Sequence, residues 1–315
     1  MSLKKLHFIL FLSLSFFVPQ FSFADDAIPM TEPTISVGLW KTKETVKFTS
    51  PFPFAVYAGG ALLGQLAPDT EAKLSFTKGE YVFKSADLEF TNPNFIRLEP
   101  MDLSGYFIVL NLVRKTGAKS AFNYNAYRGE MLYKYSPKSG MPFVINRLPL
   151  DSYVAGIGEA PDTAPEEYLK ALLVAARSYG YYFVKNANSK DMFNVYASTV
   201  DQLYLGYYLE TLRPRVAAAA AATYGEMVNY DDAPVMTPYF GNSNGTTKLW
   251  SKVWGGKDKP WIQPVVCEYD KGKKQWGHGV GMSTRDAQLH ALKDGWTYDQ
   301  ILSYYYIDTF VERMY

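Results

Sequence analysis

Residues from Ala164 to about Lys185 carry Leu169, Leu172, Leu173, Ala176, Gly180 and Phe183 at spacings that return to one face every three or four positions. A helix with such a stripe must bury it against a second layer. The preceding sequence supplies that layer. From Ile35 to about Ser120, segments such as Thr45–Thr49 and Lys73–Phe76 alternate apolar and polar residues, the period of a half-buried strand. Gly59-Gly60, Lys78-Gly79 and Asn92-Pro93-Asn94 punctuate them as turns. Two further strands are expected around Met131–Tyr135 and Pro142–Arg147. Strands first and helices afterwards predict an α+β fold.

Helix boundaries follow from local chemistry. Thr163 is placed to cap the 164–185 helix, with Glu166 completing a capping box and Pro165 tolerated in the first turn. A second helix is expected over Leu212–Tyr224, where the alanine run Ala217–Ala222 permits close packing and Gly225 ends it. A third runs from Thr284 to Asp294, capped by Ser283 and stopped by Gly295.

Met1–Ala24 opens with Lys4 and Lys5, continues through an apolar run from Phe8 to Val18, and closes on Ser22-Phe23-Ala24. This is the pattern of a removable export signal, and the run is short for a membrane span. The expected organisation is therefore a signal over 1–24, a β-rich N-terminal domain over 25–120, and a mixed second domain over 121–315. The expected product is exported, to a periplasm, cell envelope or the exterior, with no stable membrane span once the signal is removed. Without Lys4 and Lys5, the 32 basic residues fall to within one charge of the 31 acidic ones. That balance argues against a nucleic-acid binder, which would need an excess of cations for the phosphates. The lone Cys267 excludes an intramolecular disulfide framework and any multi-thiolate metal site.

Few residues remain for chemistry. Glu159 lies in a run of small and apolar neighbours, Val154 to Pro161, where poor solvation would raise a carboxyl pKa toward that of a general acid. The other reading is a solvated loop glutamate. His278 sits among Gly277, Gly279 and Gly281, so the backbone can approach a ligand or another loop closely; a structural turn histidine fits the same pattern. Gly241–Gly245 fits Gly-x-Ser-x-Gly, with Asp258 or Asp270 and then His278 in triad order, but Thr246–Trp261 is a poor elbow helix. A polar turn touching substrate is the preferred reading there. Trp250, Trp254, Trp261, Trp276 and Trp296 crowd the C-terminal part of a chain with 25 tyrosines. Aromatic faces of this kind stack on sugars, and they also fill cores.

Several segments, in order, resemble the SpoIID/LytB domain family. Tyr127-Arg128-Gly129 is similar to its entry strand, and Asn146–Val154 to its "VN-x-LPLE-x-YL" stretch. Glu159-Ala160-Pro161 falls on "EMP", Lys170–Tyr179 on "KAQAVAARTY", Asp201–Gly206 on "CQ-x-Y-x-G", and Gly277–Ser283 matches "GHGVGMS" without a gap. The resemblance runs from Phe122 to Tyr315 and makes the second domain SpoIID-like and catalytic. It implies a peptidoglycan lytic transglycosylase acting on glycan strands stripped of stem peptides, with Glu159 as general acid and base. A non-catalytic wall-binding module that activates an amidase is the rival. The same resemblance implies sugar-binding or orienting roles for Arg177, Gln202, Tyr204, Ser243, Asn244, His278 and Ser283. Some members carry a Cys/His metal site before "Q-x-Y-x-G"; here that region reads Tyr196–Asp201, so no metal and no cofactor are expected. The expected partners are peptidoglycan strands and a cell-wall amidase.

Overall fold

The structure, a computed structural model, describes residues 30–116 and 122–315. The expected export signal lies outside the described residues. The N-terminal part holds nine strands: β1 (Thr34–Lys41), β2 (Val46–Thr49), β3 (Phe54–Ala58), β4 (Ala61–Leu66), β5 (Ala72–Thr77), β6 (Glu80–Lys84), β7 (Glu89–Asn92), β8 (Ile96–Pro100) and β9 (Tyr106–Val109). Then come β10 (Ala126–Arg128), β11 (Glu130–Ser136) and β12 (Met141–Pro149), which lead into α1 (Leu150–Ala155) and the long α2 (Glu166–Lys185). The remainder alternates short pieces: β13 (Val195–Tyr196), α3 (Tyr208–Leu212), α4 (Pro214–Ala222), β14 (Glu226–Tyr230), β15 (Ala233–Pro234), β16 (Tyr239–Phe240), α5 (Ser251–Trp254), β17 (Met282–Ser283), α6 (Thr284–Leu289), α7 (Tyr298–Tyr305) and β18 (Phe310–Arg313). The fold is α+β with a β-rich N-terminal region, as the alternation predicts.

Two sheets dominate. One runs β13-β1-β12-β11-β8-β3-β4 and the other β10-β9-β2-β5-β6-β7. Their inner faces meet through aromatic contacts: Phe54 on β3 lies edge-to-face with Phe107 on β9 at 5.3 Å, and Tyr81 on β6 with Tyr133 on β11 at 6.2 Å. The first sheet mixes strands from both sides of residue 121. β1 pairs antiparallel with β12 along Thr34↔Pro149 to Lys41↔Phe143, and β11 pairs with β8. The composition shift near residue 120 is therefore not a break in the sheet.

The core helix α2 is buried along its stripe and packs on β1, α1, α4, α7 and β14. Gly180 allows the approach, since a Cβ there would stand 3.3 Å from both Ile35 Cδ1 and Tyr153 Cε1. The helix begins two residues later than expected and Thr163 does not cap it. Ala164, which precedes a proline, is disfavoured from helical dihedrals, so the helix cannot start there, and Pro165 takes the cap position with ψ 139°. The expected 212–224 helix divides because Arg213, before Pro214, is non-helical at φ −131°, ψ 68° and separates α3 from α4. Ser283 does cap α6, accepting from the Asp286 amide, and His290–Asp294 continues as a π-turn to the left-handed Gly295.

Candidate active site

Glu159 follows α1 on a strand-like segment pressed against residues 203–206. Ile157 bridges Tyr204, the Gly158 amide donates to the Leu203 carbonyl at 2.7 Å, and the Leu205 amide donates to the Gly156 carbonyl at 2.8 Å. The glycines permit this contact. A Cβ on Gly156 would meet the Tyr204 ring at 2.4 Å, and one on Gly158 would meet Leu205 at 2.3 Å. The small neighbours of Glu159 thus reflect close backbone packing, and the same packing fixes where the carboxylate emerges.

That carboxylate opens into a cavity of about 580 Å³. Residues 199–203, Tyr179, Tyr239–Gly241 and His278 line it, with an aromatic group of Trp250, Trp254 and Trp276. Trp276 is 77% exposed, an unusual position for an indole unless something covers it. Trp254 lies 4.4 Å from Trp250 and 4.8 Å from the His278 ring, centroid to centroid. Glu159 and Asp201 are the acidic groups of the lining, which holds no lysine or arginine.

A directed hydrogen-bond chain ends on Glu159. The Tyr153 hydroxyl donates to Gln202 Oε1 at 2.6 Å, Gln202 Nε2 donates to the Tyr239 hydroxyl at 2.9 Å, and Tyr239 donates to Glu159 Oε2. The Leu203 amide donates to Oε1 at 3.1 Å. Two effects compete for the proton. Enclosure by protein raises the Glu159 pKa above the ordinary glutamate value, while Tyr239 and Leu203 pull it down by bonding the ionised form; burial wins. The group therefore keeps its proton to a higher pH than a free glutamate, yet its conjugate base has two donors already aimed at it.

His278 plays a different part. Its Nδ1 accepts from the Val280 amide at 3.1 Å, which leaves Nε2 to donate to the Tyr239 carbonyl at 3.0 Å. This bonding assigns the neutral Nε2–H tautomer, and burial pushes the imidazole pKa below its usual value. The ring ties the Gly277–Ser283 segment to β16 beside the tyrosine that contacts Glu159. The parallel pair β16–β17 continues the attachment through Tyr239↔Met282. Gly281, at φ 75°, is required there, because a Cβ would sit 2.0 Å from the Pro238 carbonyl oxygen.

Of the residues expected at the site, the structure brings together Glu159, Gln202 and His278. It does not bring Arg177 to the cavity. Arg177 is fully buried, with Nε and Nη2 on Asp151 Oδ1 at 3.0 and 2.5 Å and Nη1 on the Glu226 carbonyl. Tyr204 is buried and donates to Asn146 Oδ1 at 2.8 Å. Ser243 and Ser283 are both fully buried on Asp270, through the Ser243 amide at 2.7 Å and the Ser283 hydroxyl at 2.6 Å. Asn244 is exposed and outside the cavity lining. The serine-hydrolase arrangement does not form: Asp258 holds Ser251, Asp270 holds Ser243 and Ser283, and His278 is engaged elsewhere. Trp261 and Trp296 are packing residues, the first bonded to the Met236 carbonyl and the second stacked on His290 at 3.9 Å. Sequence reasoning missed Tyr239, Tyr179 and Asp201 as cavity residues. Tyr239 and Glu159 stand 80 positions apart, so only tertiary contact reveals their pairing. Among the described residues, no group of three or more His, Cys, Asp or Glu could hold a metal ion.

Part of the chain is similar to known proteins. Residues 139–230 match the family model of the stage II sporulation protein SpoIID, a stretch that includes Glu159, Arg177, Gln202 and Tyr204. The chain is 29% identical over 141 residues to stage II sporulation protein D of Bacillus subtilis, covering 40% of this chain and 41% of that protein. Against its namesake in Bacillus amyloliquefaciens it is 28% identical over 179 residues, 50% of this chain and 52% of the relative. An uncharacterised protein of Brachyspira hyodysenteriae is 33% identical over 132 residues, 41% of this chain and 34% of the relative. The matched stretch spans about half the length of these relatives, or less. Residues 139–230, from the turn before β12 to the end of β14, thus carry the likeness to the SpoIID family, and the curated relatives support assigning this stretch to it.

Proposed function

We propose that this protein is a lytic transglycosylase that cleaves peptidoglycan glycan strands free of stem peptides, with Glu159 as its single acid and base. The observation that carries the reading is a burial-raised carboxyl opening into an aromatic cavity with no cationic lining. Indole and phenol faces suit sugar rings, and an acid that holds its proton suits the first step of glycoside cleavage.

Protonated Glu159 gives its proton to the glycosidic oxygen as the bond to the anomeric carbon breaks. The carboxylate formed is met by the Leu203 amide and the Tyr239 hydroxyl, which need not reorganise. Tyr239 is held in turn by Gln202 and Tyr153. Glu159 then takes the proton of a hydroxyl on the muramic sugar, whose oxygen attacks the anomeric carbon and closes an anhydro ring. No water enters the products, and the nucleophile is already tethered to the reacting centre. An ordinary glycosidase would need a second free carboxylate. Asp201 is occupied, accepting from the Tyr179 hydroxyl at 3.0 Å and the Tyr196 amide at 2.7 Å.

Export and a role in envelope remodelling accompany this reading. They are supported by the Met1–Ala24 pattern and by the sporulation name of the relatives. No helix among the described residues is long and apolar enough to cross a membrane.

The test is digestion of peptide-free strands by wild type and Glu159→Gln, with anhydro ends read by mass spectrometry. The wild type should form them, and the variant should be about 10²- to 10⁴-fold slower. Equal rates would reject Glu159. Retention of strands without any new product would favour the non-catalytic, amidase-activating module.

A further inference from the structure

A second cavity of about 520 Å³ is formed by β1, the segment after β9, and β13. Trp40 and Tyr196 supply its aromatic surface, and Glu44, Arg114 and Ser198 supply polar groups. Its volume falls within the range of small-molecule sites.

Tyr196 is presented rather than merely exposed. Its amide is held by Asp201 Oδ2 at 2.7 Å, and the neighbouring Ala197 amide donates to the Gly38 carbonyl at 3.1 Å. Beneath the ring, Phe193 makes an edge-to-face contact at 4.8 Å. Phe193 is itself seated over Gly38, where a Cβ would meet its ring at 2.6 Å. Despite this support Tyr196 remains 44% exposed. A fixed, open aromatic face beside a cavity is the geometry of a stacking platform.

The two cavities share one wall. Thr199, Val200 and Asp201 line the Glu159 cavity, while Tyr196, Ala197 and Ser198 line the second. Ser198–Asp201 is a turn closed by the Asp201 amide on the Ser198 carbonyl at 2.9 Å. The two linings are therefore separated by less than the roughly 11 Å that three extended residues would reach, a distance within the span of a short run of sugars. Val200, on the lining of the Glu159 cavity, is 72% exposed and adds an apolar surface to this segment.

We propose that the Trp40–Tyr196 cavity is a distal subsite, holding a sugar of the same glycan strand whose scissile bond lies at Glu159. The nature of the ligand rests on the glycan-cleaving reading; the position of the subsite rests on the shared wall and the Tyr196 platform. It gives the N-terminal strands a direct part in substrate binding and makes the protein select long strands.

Binding is measured in the Glu159→Gln background, by tryptophan fluorescence, with a peptide-free tetrasaccharide and decasaccharide. The longer strand should bind about tenfold more tightly, the magnitude of one stacked ring. Adding Tyr196→Ala should abolish that advantage while leaving tetrasaccharide affinity unchanged, and Tyr196→Phe should retain it. Equal affinity for both lengths, or equal weakening of both by Tyr196→Ala, would overturn the subsite alone. Failure of the folded protein to bind either strand would overturn the subsite and the glycan reading together.

Discussion

At the scale of single residues, the site turns on how one carboxyl is held between opposing influences. Burial raises the Glu159 pKa and the Tyr239 hydrogen bond restrains the rise. Tyr239→Phe removes the restraint and leaves the burial. The Glu159 pKa should therefore climb further, and the alkaline limb of the activity profile, where the acid loses its proton, should move to higher pH. The rate at the optimum should fall roughly tenfold, since one donor to the developing carboxylate is gone. A pH–rate profile of wild type and variant checks both. An alkaline limb that stays in place would show that Tyr239 does not bear on the acid. Ser243 provides a second test: fully buried and bonded through its amide to Asp270, it should not react with a fluorophosphonate probe. Glu159 was singled out in the sequence by its small, apolar neighbours together with the resemblance of Glu159-Ala160-Pro161 to the "EMP" motif. The role of Tyr239 was not, because its pairing with Glu159 spans 80 positions and no local pattern shows it.

At the scale of elements, buried polar contacts fix how the pieces that carry the site meet. Arg177 on α2 joins Asp151 on α1 and the Glu226 carbonyl on β14, and Tyr315 donates to the other Asp151 oxygen at 2.6 Å. Removing one partner leaves an uncompensated buried charge. Arg177→Met should destabilise by about 3–5 kcal/mol in urea denaturation. The KM of the folded fraction should stay unchanged, because Arg177 does not reach the cavity. A changed KM would restore it to the substrate. Gly281 holds β17 against Pro238, so Gly281→Ala should cost about 2–4 kcal/mol and should lower activity by displacing Tyr239 from Glu159. Thermal melts and initial rates report the two effects separately. Apolar periodicity located α2 and the strands around it, and cap and stop residues located α6; prolines at 165 and 214 shifted the helix boundaries. The short pair β16–β17 carries too few residues to show any period, and it was invisible for that reason.

At the scale of the whole molecule, one sheet joins the N-terminal strands to those that lead into the site. A chain beginning at residue 122 would lose β1 and β8, leaving β12 and β11 each with an open edge. Such a chain should show no cooperative thermal transition by circular dichroism, whereas the full chain should. Two independent transitions in the full chain would contradict this coupling. The sequence by itself determined the α+β class, the buried helix, the near-neutral charge, and the motifs that place Glu159, Gln202 and His278. These are local patterns of period, turn chemistry and composition, and they survive without knowledge of what touches what. Only the tertiary structure decided which motif residues face the cavity and which hold the core. It turned Arg177, Tyr204, Ser243 and Ser283 inward, brought Tyr239 onto Glu159, and sorted the five C-terminal tryptophans into three at the cavity and two in packing. The reason is physical. A side chain's role depends on its burial and its partners, and those are set by contacts between segments far apart in the chain.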